Sequence, residues 1–154
     1  MVLTIEEAGD RYLDIVCPSN AAVNALTAAF TATEGSFLNG EAADLAPVKA
    51  AAQVRMESTS VEIDLIEDES VIWPEEVTAH LTTLRDYSVA ELATISSIVN
   101  AADYEEAYYA AWPDGTNVAP AAQEIRRALE LSPDTAASCV GHEDGHGRLL
   151  AAQG

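Results

Sequence analysis

"TIEEAGDRYLDIVCPSNAAVNALTAAF", residues 4–30, decides the fold class. Thr4 and Glu7 form the S/T-x-x-E capping box that opens a helix. Ile5, Ala8, Tyr12, Ile15, Ser19, Val23, Leu26 and Phe30 then recur at steps of three and four, the period of one helical face. Pro18 interrupts the middle of this run and would ordinarily end a helix, because it lacks an N–H and its ring crowds the preceding turn. The stripe keeps its phase across the proline, so the spacing predicts one kinked helix over 5–34, closed near Gly35. Two helices meeting at Cys17-Pro18 are the other arrangement this pattern allows.

The same period continues downstream. Leu45, Val48, Ala52, Met56, Thr59, Ile63 and Ile66 predict a second helix over about 41–69, with Pro47 tolerated near its first turns. Trp73-Pro74 marks a turn and restart. Val77, Leu81, Leu84, Ser88, Ile95, Ile98, Ala102 and Tyr109 predict a third and longest helix over 75–111. After the breaker "WPDGTNVAP", Ile125, Ala128 and Leu129 predict a short fourth helix over 119–131. Helices of this length run roughly 45–55 Å and must lie side by side. Short links make neighbours antiparallel, so the expected architecture is all-α: an up-down bundle of three long helices plus a shorter fourth, with an irregular tail over about 132–154. A single domain over 1–154 suits the length.

Charge is the outlier of the composition. The 154 residues carry 26 acids against 7 bases, a formal −19, with Lys49 the only lysine. Such a chain is repelled by nucleic acid and by anionic bilayers. No run of 18 apolar residues appears, so no transmembrane segment is expected. "MVLTIEEAGD" has neither a basic start nor an apolar core, and so does not read as a signal peptide.

Cys17 lies at the proline, and Cys139 in the tail. By helical angle Cys17 turns from the Ile5/Tyr12/Ile15 stripe toward a flank that a tail crossing the bundle can reach, which predicts a Cys17–Cys139 bridge. Closing so long a loop is worth about 4–5 kcal/mol in the chain-entropy account and implies an oxidising compartment. Two unrelated core thiols are the alternative.

"AGDRYLDIVCPSNAAVNAL", with Tyr12, Val16, Cys17, Pro18 and Asn20, resembles the opening of a family of secreted proteins and lipoproteins of actinobacteria, and "IRRALEL" followed by a proline and a second cysteine is similar as well. The resemblance covers the first helix well and the fourth loosely. It implies export, a helical domain and a lipid anchor upstream of Met1, and it implies no reaction. The chain shows no lipobox of its own, a departure from the family's precursors.

Three chemical candidates remain. His142-Glu143-Asp144-Gly145-His146 matches H-E-x-x-H, in which two histidines on one helical face hold zinc beside a glutamate base. Gly141, Gly145 and Gly147 weaken any helix there, each by about 1 kcal/mol. No His, Asp or Glu follows His146 to act as a third ligand. A divalent-metal site using His142, His146 and Glu143 is the second reading, after a solvated loop. A di-iron carboxylate site needs two E-x-x-H elements on helices and fails on count. Glu62, Asp64, Glu67, Asp68 and Glu69 lack the glycine-bearing calcium loop and read as a solvated face. Tyr104, Tyr108 and Trp112, at steps of four, share a helical face that closes one end of the core or forms a partner or pocket surface. No nucleophile elbow or phosphate loop is present. The expected function is therefore a non-enzymatic, exported or cell-envelope bundle that binds an unidentified protein or small ligand, with no cofactor. The alternatives are a metal-binding protein, or a salt-adapted cytoplasmic one.

Overall fold

The structure, a computed structural model, describes residues 1–154. It is all-α, with α1 Ile5–Leu38, α2 Ala46–Ile66, α3 Glu75–Val99, α4 Tyr104–Tyr108, α5 Val118–Ala128, α6 Thr135–Ser138 and α7 Gly145–Gln153. The one extended contact is an isolated parallel bridge between Val2 and Ile72, which ties the N-terminus to the α2–α3 link.

α1 opens on the expected capping box, with Thr4 accepting from the Glu7 N–H and Glu7 accepting from the Thr4 N–H. It runs unbroken through Pro18 and ends four residues beyond the expected end, at Leu38. α2 is shorter than the spacing suggested. It starts at Ala46, directly before Pro47, because the missing N–H and fixed φ of proline suit the first turn of a helix. Its end moves from 69 back to Ile66 because Asp68 turns to receive Arg11 and the Ser70 backbone. The third helix is corrected most. It stops at Val99 rather than 111. Asp103 caps a new turn by accepting from the Glu106 N–H, and Glu106 reaches back to the Ala102 N–H. Local capping here overrides an apolar stripe that continues in phase.

Hydrogen bonds between helices show the register. Arg11–Asp68 and Ser19–Ser58 run in opposite sequence directions along α1 and α2, as do Arg55–Glu91, Glu62–Ser88 and Glu67–Arg85 along α2 and α3. α2 is therefore antiparallel to both neighbours. α5 packs along α3, α7 along α1, and the α5 backbone stands off α1. The buried apolar side chains fall into two clusters. One surrounds Tyr12, Ile15, Leu65, Val77 and Ile125, and the other surrounds Leu26, Val48, Ile95, Ile98 and Tyr104. By length and composition alone α1 is apolar enough to cross a bilayer. Here it spends Tyr12, Ile15, Val16 and Leu26 on these cores.

The tail is also corrected: it is largely helical rather than irregular, and it is docked, as the expected Cys17–Cys139 bridge implied. Pro18 has no N–H, so the Asp14 carbonyl lacks its helical partner. At this break the tail lies directly on α1. A side chain at Gly145 would begin 2.2 Å from the Asp14 carbonyl oxygen and 2.3 Å from its Cα. His146 Nε2 donates to the Ile15 carbonyl at 2.7 Å. The sulfurs of Cys17 and Cys139 are bonded, with the Cα atoms 5.5 Å apart. Glycine, weak as a helix former, is what this backbone-on-backbone contact requires.

Gly145→Ala is expected to lower stability in urea by about 1–3 kcal/mol, as overpacking does. Gly35→Ala, at a helical position with open space around it, is expected to raise it by about 0.5–1 kcal/mol. Equal effects at the two glycines would contradict the docking.

Candidate functional site

Where α5 stands off α1, a cavity of about 440 Å³ opens between α1, α2, α3 and α5. The stripes that build the core place a polar layer here: Ser19 on α1, Arg55, Thr59 and Glu62 on α2, Ser88 and Glu91 on α3, and Arg126 on α5. Antiparallel register brings these positions level. Tyr12, Val16, Leu84 and Val118 supply apolar wall.

Arg55 and Glu91 form an ion pair whose side chains are only 10% and 8% exposed, which makes it a buried pair and not a surface one. The Arg55 Nε is buried without a partner, and its guanidinium lies 4.5 Å from the centre of the Trp112 ring. Burial pushes the Glu91 carboxyl above its ordinary range, opposed by the Arg55 charge. Glu62 accepts from the Ser88 hydroxyl at 3.1 Å. Burial raises its carboxyl too, against the pull of the Ser19 and Ser88 hydroxyls, and the nearby Glu91 adds to the rise. Tyr12 is pushed up to about 12, mainly by burial. Arg126 is buried with its guanidinium 5.8 Å from the Tyr12 ring, and its Nη1 donates to the Ser132 carbonyl at 3.0 Å and the Ser138 hydroxyl at 2.8 Å. The tail thus holds one wall of the cavity. Groups of this kind can fix the orientation of a small polar molecule.

Of the polar layer, Ser19, Thr59 and Ser88 read from sequence as members of the apolar stripes and Glu62 as part of a solvated acidic face, while Arg55, Glu91 and Arg126 did not figure in that reading. The available signal was the polar character of those three stripe positions, with Arg55, Glu62 and Glu91 one turn away on the same faces.

The residues singled out from sequence go elsewhere. His142, Glu143 and His146 do not converge on a common point. His142 Nδ1 donates to Asp14 at 2.7 Å, His146 Nε2 to Ile15, and Glu143 folds back to accept from the Gly141 N–H. Only His146 lies in a helix, so the pair does not project from one helical face. No group of three or more His, Cys, Asp or Glu side chains is placed to share an ion. Arg148 shares Asp14 with His142. The acidic run is not wholly the solvated face expected: Glu67 and Asp68 take Arg85 and Arg11, and Glu62 turns inward to Ser88 and the cavity.

The expected common face of Tyr104, Tyr108 and Trp112 is broken, because α4 ends at Tyr108. Tyr104 and Tyr108 pack with Phe30 and Phe37 at the far end of the bundle. Their hydroxyls engage Thr33 and Glu34 of α1. Trp112 leaves that group to cover Arg55, and with Phe30 and Glu34 it lines a shallower cleft of about 260 Å³.

Comparison with known proteins gives no further guide: no family model, no curated protein and no solved structure matches the chain.

Two measurements test this electrostatic layout. Arg55→Met alone strands Glu91 and is expected to cost about 3–5 kcal/mol, while Arg55→Met with Glu91→Leu is expected to cost little or to stabilise. Additive losses in urea unfolding would rule out the buried pair. Burial lowers the His146 imidazole below its ordinary 6.5, with the Ile15 hydrogen bond and Asp14 opposing. The unfolded chain therefore takes up this proton first, so the tail's contribution is complete above that value and is lost as pH falls below it. His146→Gln keeps a donor for Ile15 but cannot titrate. The stability advantage of wild type over this variant is expected to shrink between about pH 7.5 and pH 5.5; a constant difference refutes the assignment.

Proposed function

We propose that the protein is a non-enzymatic, extracytoplasmic helical bundle, exported or held at the cell envelope, that binds a small polar molecule in the cavity between α1, α2, α3 and α5. The cavity carries this reading: about 440 Å³, lined by hydroxyls, two guanidiniums and two carboxyls that converge from four helices. Its polar groups are of the recognising kind. Arg55 holds Glu91, Ser88 holds Glu62, and the lining residues include no His, Cys or Lys.

The Cys17–Cys139 bond supports the extracytoplasmic location, because such bonds persist where glutathione does not reduce them. The likeness of residues 8–26 to secreted proteins and lipoproteins of actinobacteria supports it as well, and with it a lipid anchor ahead of Met1. The strong negative charge disfavours nucleic acid as a partner.

Two measurements test the reading. Intact mass of the chain recovered from its source cells is expected to rise by two hydrogens on reduction, with the protein in the envelope or medium fraction; an unchanged mass removes the argument for export. Native mass spectrometry after incubation with a low-molecular-weight extract is expected to show a bound species that Ala122→Trp, which fills the cavity from α5, abolishes. No adduct, or equal loading of the filled variant, would sink the ligand-binding role.

A further inference from the structure

The distribution of basic side chains narrows the ligand class, on the premise that the cavity is a ligand site. In a chain with 26 acids and 7 bases, a counter-ion for any arginine is easy to supply. Arg11, Arg55, Arg85, Arg127 and Arg148 each have one. Lys49 donates to the Ala101 carbonyl at a partly buried position. Arg126 is different. It is only 4% exposed, and its hydrogen bonds go to a carbonyl and a hydroxyl, both neutral. A buried cation without an opposite charge is costly, and the cost is relieved when an anionic group binds beside it. Tyr12 lines the cavity next to it. Elsewhere in the same cavity, α2 and α3 present Glu62 and Glu91, with Ser88 between them and Arg55 committed to Glu91. Tyr12 feels both the Arg126 and the Glu62 charges, so the two poles lie within electrostatic reach of one side chain.

A simple anion would satisfy Arg126 but would have to approach a molecule of formal charge −19. A simple cation would satisfy Glu62 and meet Arg126. A molecule with both charges and no net charge approaches without the long-range penalty and answers both poles. We propose that the cavity binds a small zwitterion of amino-acid type, its carboxylate on Arg126 beside Tyr12 and its ammonium on Glu62. The groups acting on Glu62 are Arg55 from its own helix, Glu91 and the Ser88 hydroxyl from α3, and the Ser19 hydroxyl from α1. Burial pushes the Glu62 carboxyl up against its Ser19 and Ser88 hydrogen bonds, and an ammonium beside it favours the ionised form.

Titration calorimetry of the oxidised full chain tests this with three probe sets: free L-amino acids, their N-acetyl derivatives, which lack the ammonium, and their amides, which lack the carboxylate. At least one free amino acid is expected to bind, and its N-acetyl and amide forms at least tenfold more weakly. Glu62→Gln should bind the free acid no more tightly than its N-acetyl form. Arg126→Gln should bind the amide and the free acid equally. Because that variant also loses contacts to the tail, the probe comparison on the unmodified chain decides. A derivative that binds as tightly as its parent overturns the zwitterion, and so does failure of every free amino acid at millimolar concentration. If the chain then still binds another molecule from the extract, the ligand class alone is wrong. If it binds nothing, the ligand-binding role falls with it.

Discussion

The missing N–H of Pro18 is the constraint from which the rest of the structure follows. It leaves a gap in the backbone ladder of a 34-residue helix, at the level where Cys17 and the Asp14 and Ile15 carbonyls are accessible. The tail fills that gap. Gly145 brings one backbone onto another, His146 donates to Ile15, His142 and Arg148 meet at Asp14, and Cys139 bonds to Cys17. The same tail presents Ser132 and Ser138 to Arg126. A defect in the first helix is thereby linked through the last segment of the chain to the wall of the cavity.

The cavity lies where the apolar stripes give way to a polar layer between two hydrophobic clusters. Helices that were apolar throughout would close over such a space. Here Arg55, Glu62, Glu91 and Arg126 need partners or solvent access, and that requirement keeps α5 from collapsing onto α1. The two clusters supply the stability that lets the bundle hold charged groups inside. The disulfide closes a loop of 122 residues, worth about 4–5 kcal/mol in the chain-entropy account, and offsets the thin core at the tail.

Much of this was legible in the sequence, for specific reasons. The phase of Ile5 through Phe30 survives Pro18, so the first helix was readable despite its breaker. Pairing of Cys17 with Cys139 was readable from the side of α1 on which Cys17 sits. Two local devices outweighed periodicity. Asp103 with Glu106 ended the third helix early, even though Ala102 and Tyr109 continue its stripe. Of the glycines that made the tail look irregular, Gly141 takes a positive φ and Gly145 touches Asp14, a contact between residues 131 positions apart that no local pattern encodes. The H-E-x-x-H match drew attention to the right segment for the wrong chemistry, since both imidazoles serve to fasten it. The cavity was the largest omission. Ser19, Thr59 and Ser88 stood in the stripes as ordinary members and Glu62 read as a solvated acid, and only the antiparallel register shows that they share one level.

The most direct test of this account is amide hydrogen exchange of the full chain before and after reduction of Cys17–Cys139. If the tail is clasped over the proline and in turn holds Arg126, reduction will speed exchange over residues 132–153 and around Arg126, and leave the middle turns of α2 and α3 protected. Exchange that is unchanged by reduction, or that rises uniformly over the whole chain, would contradict it.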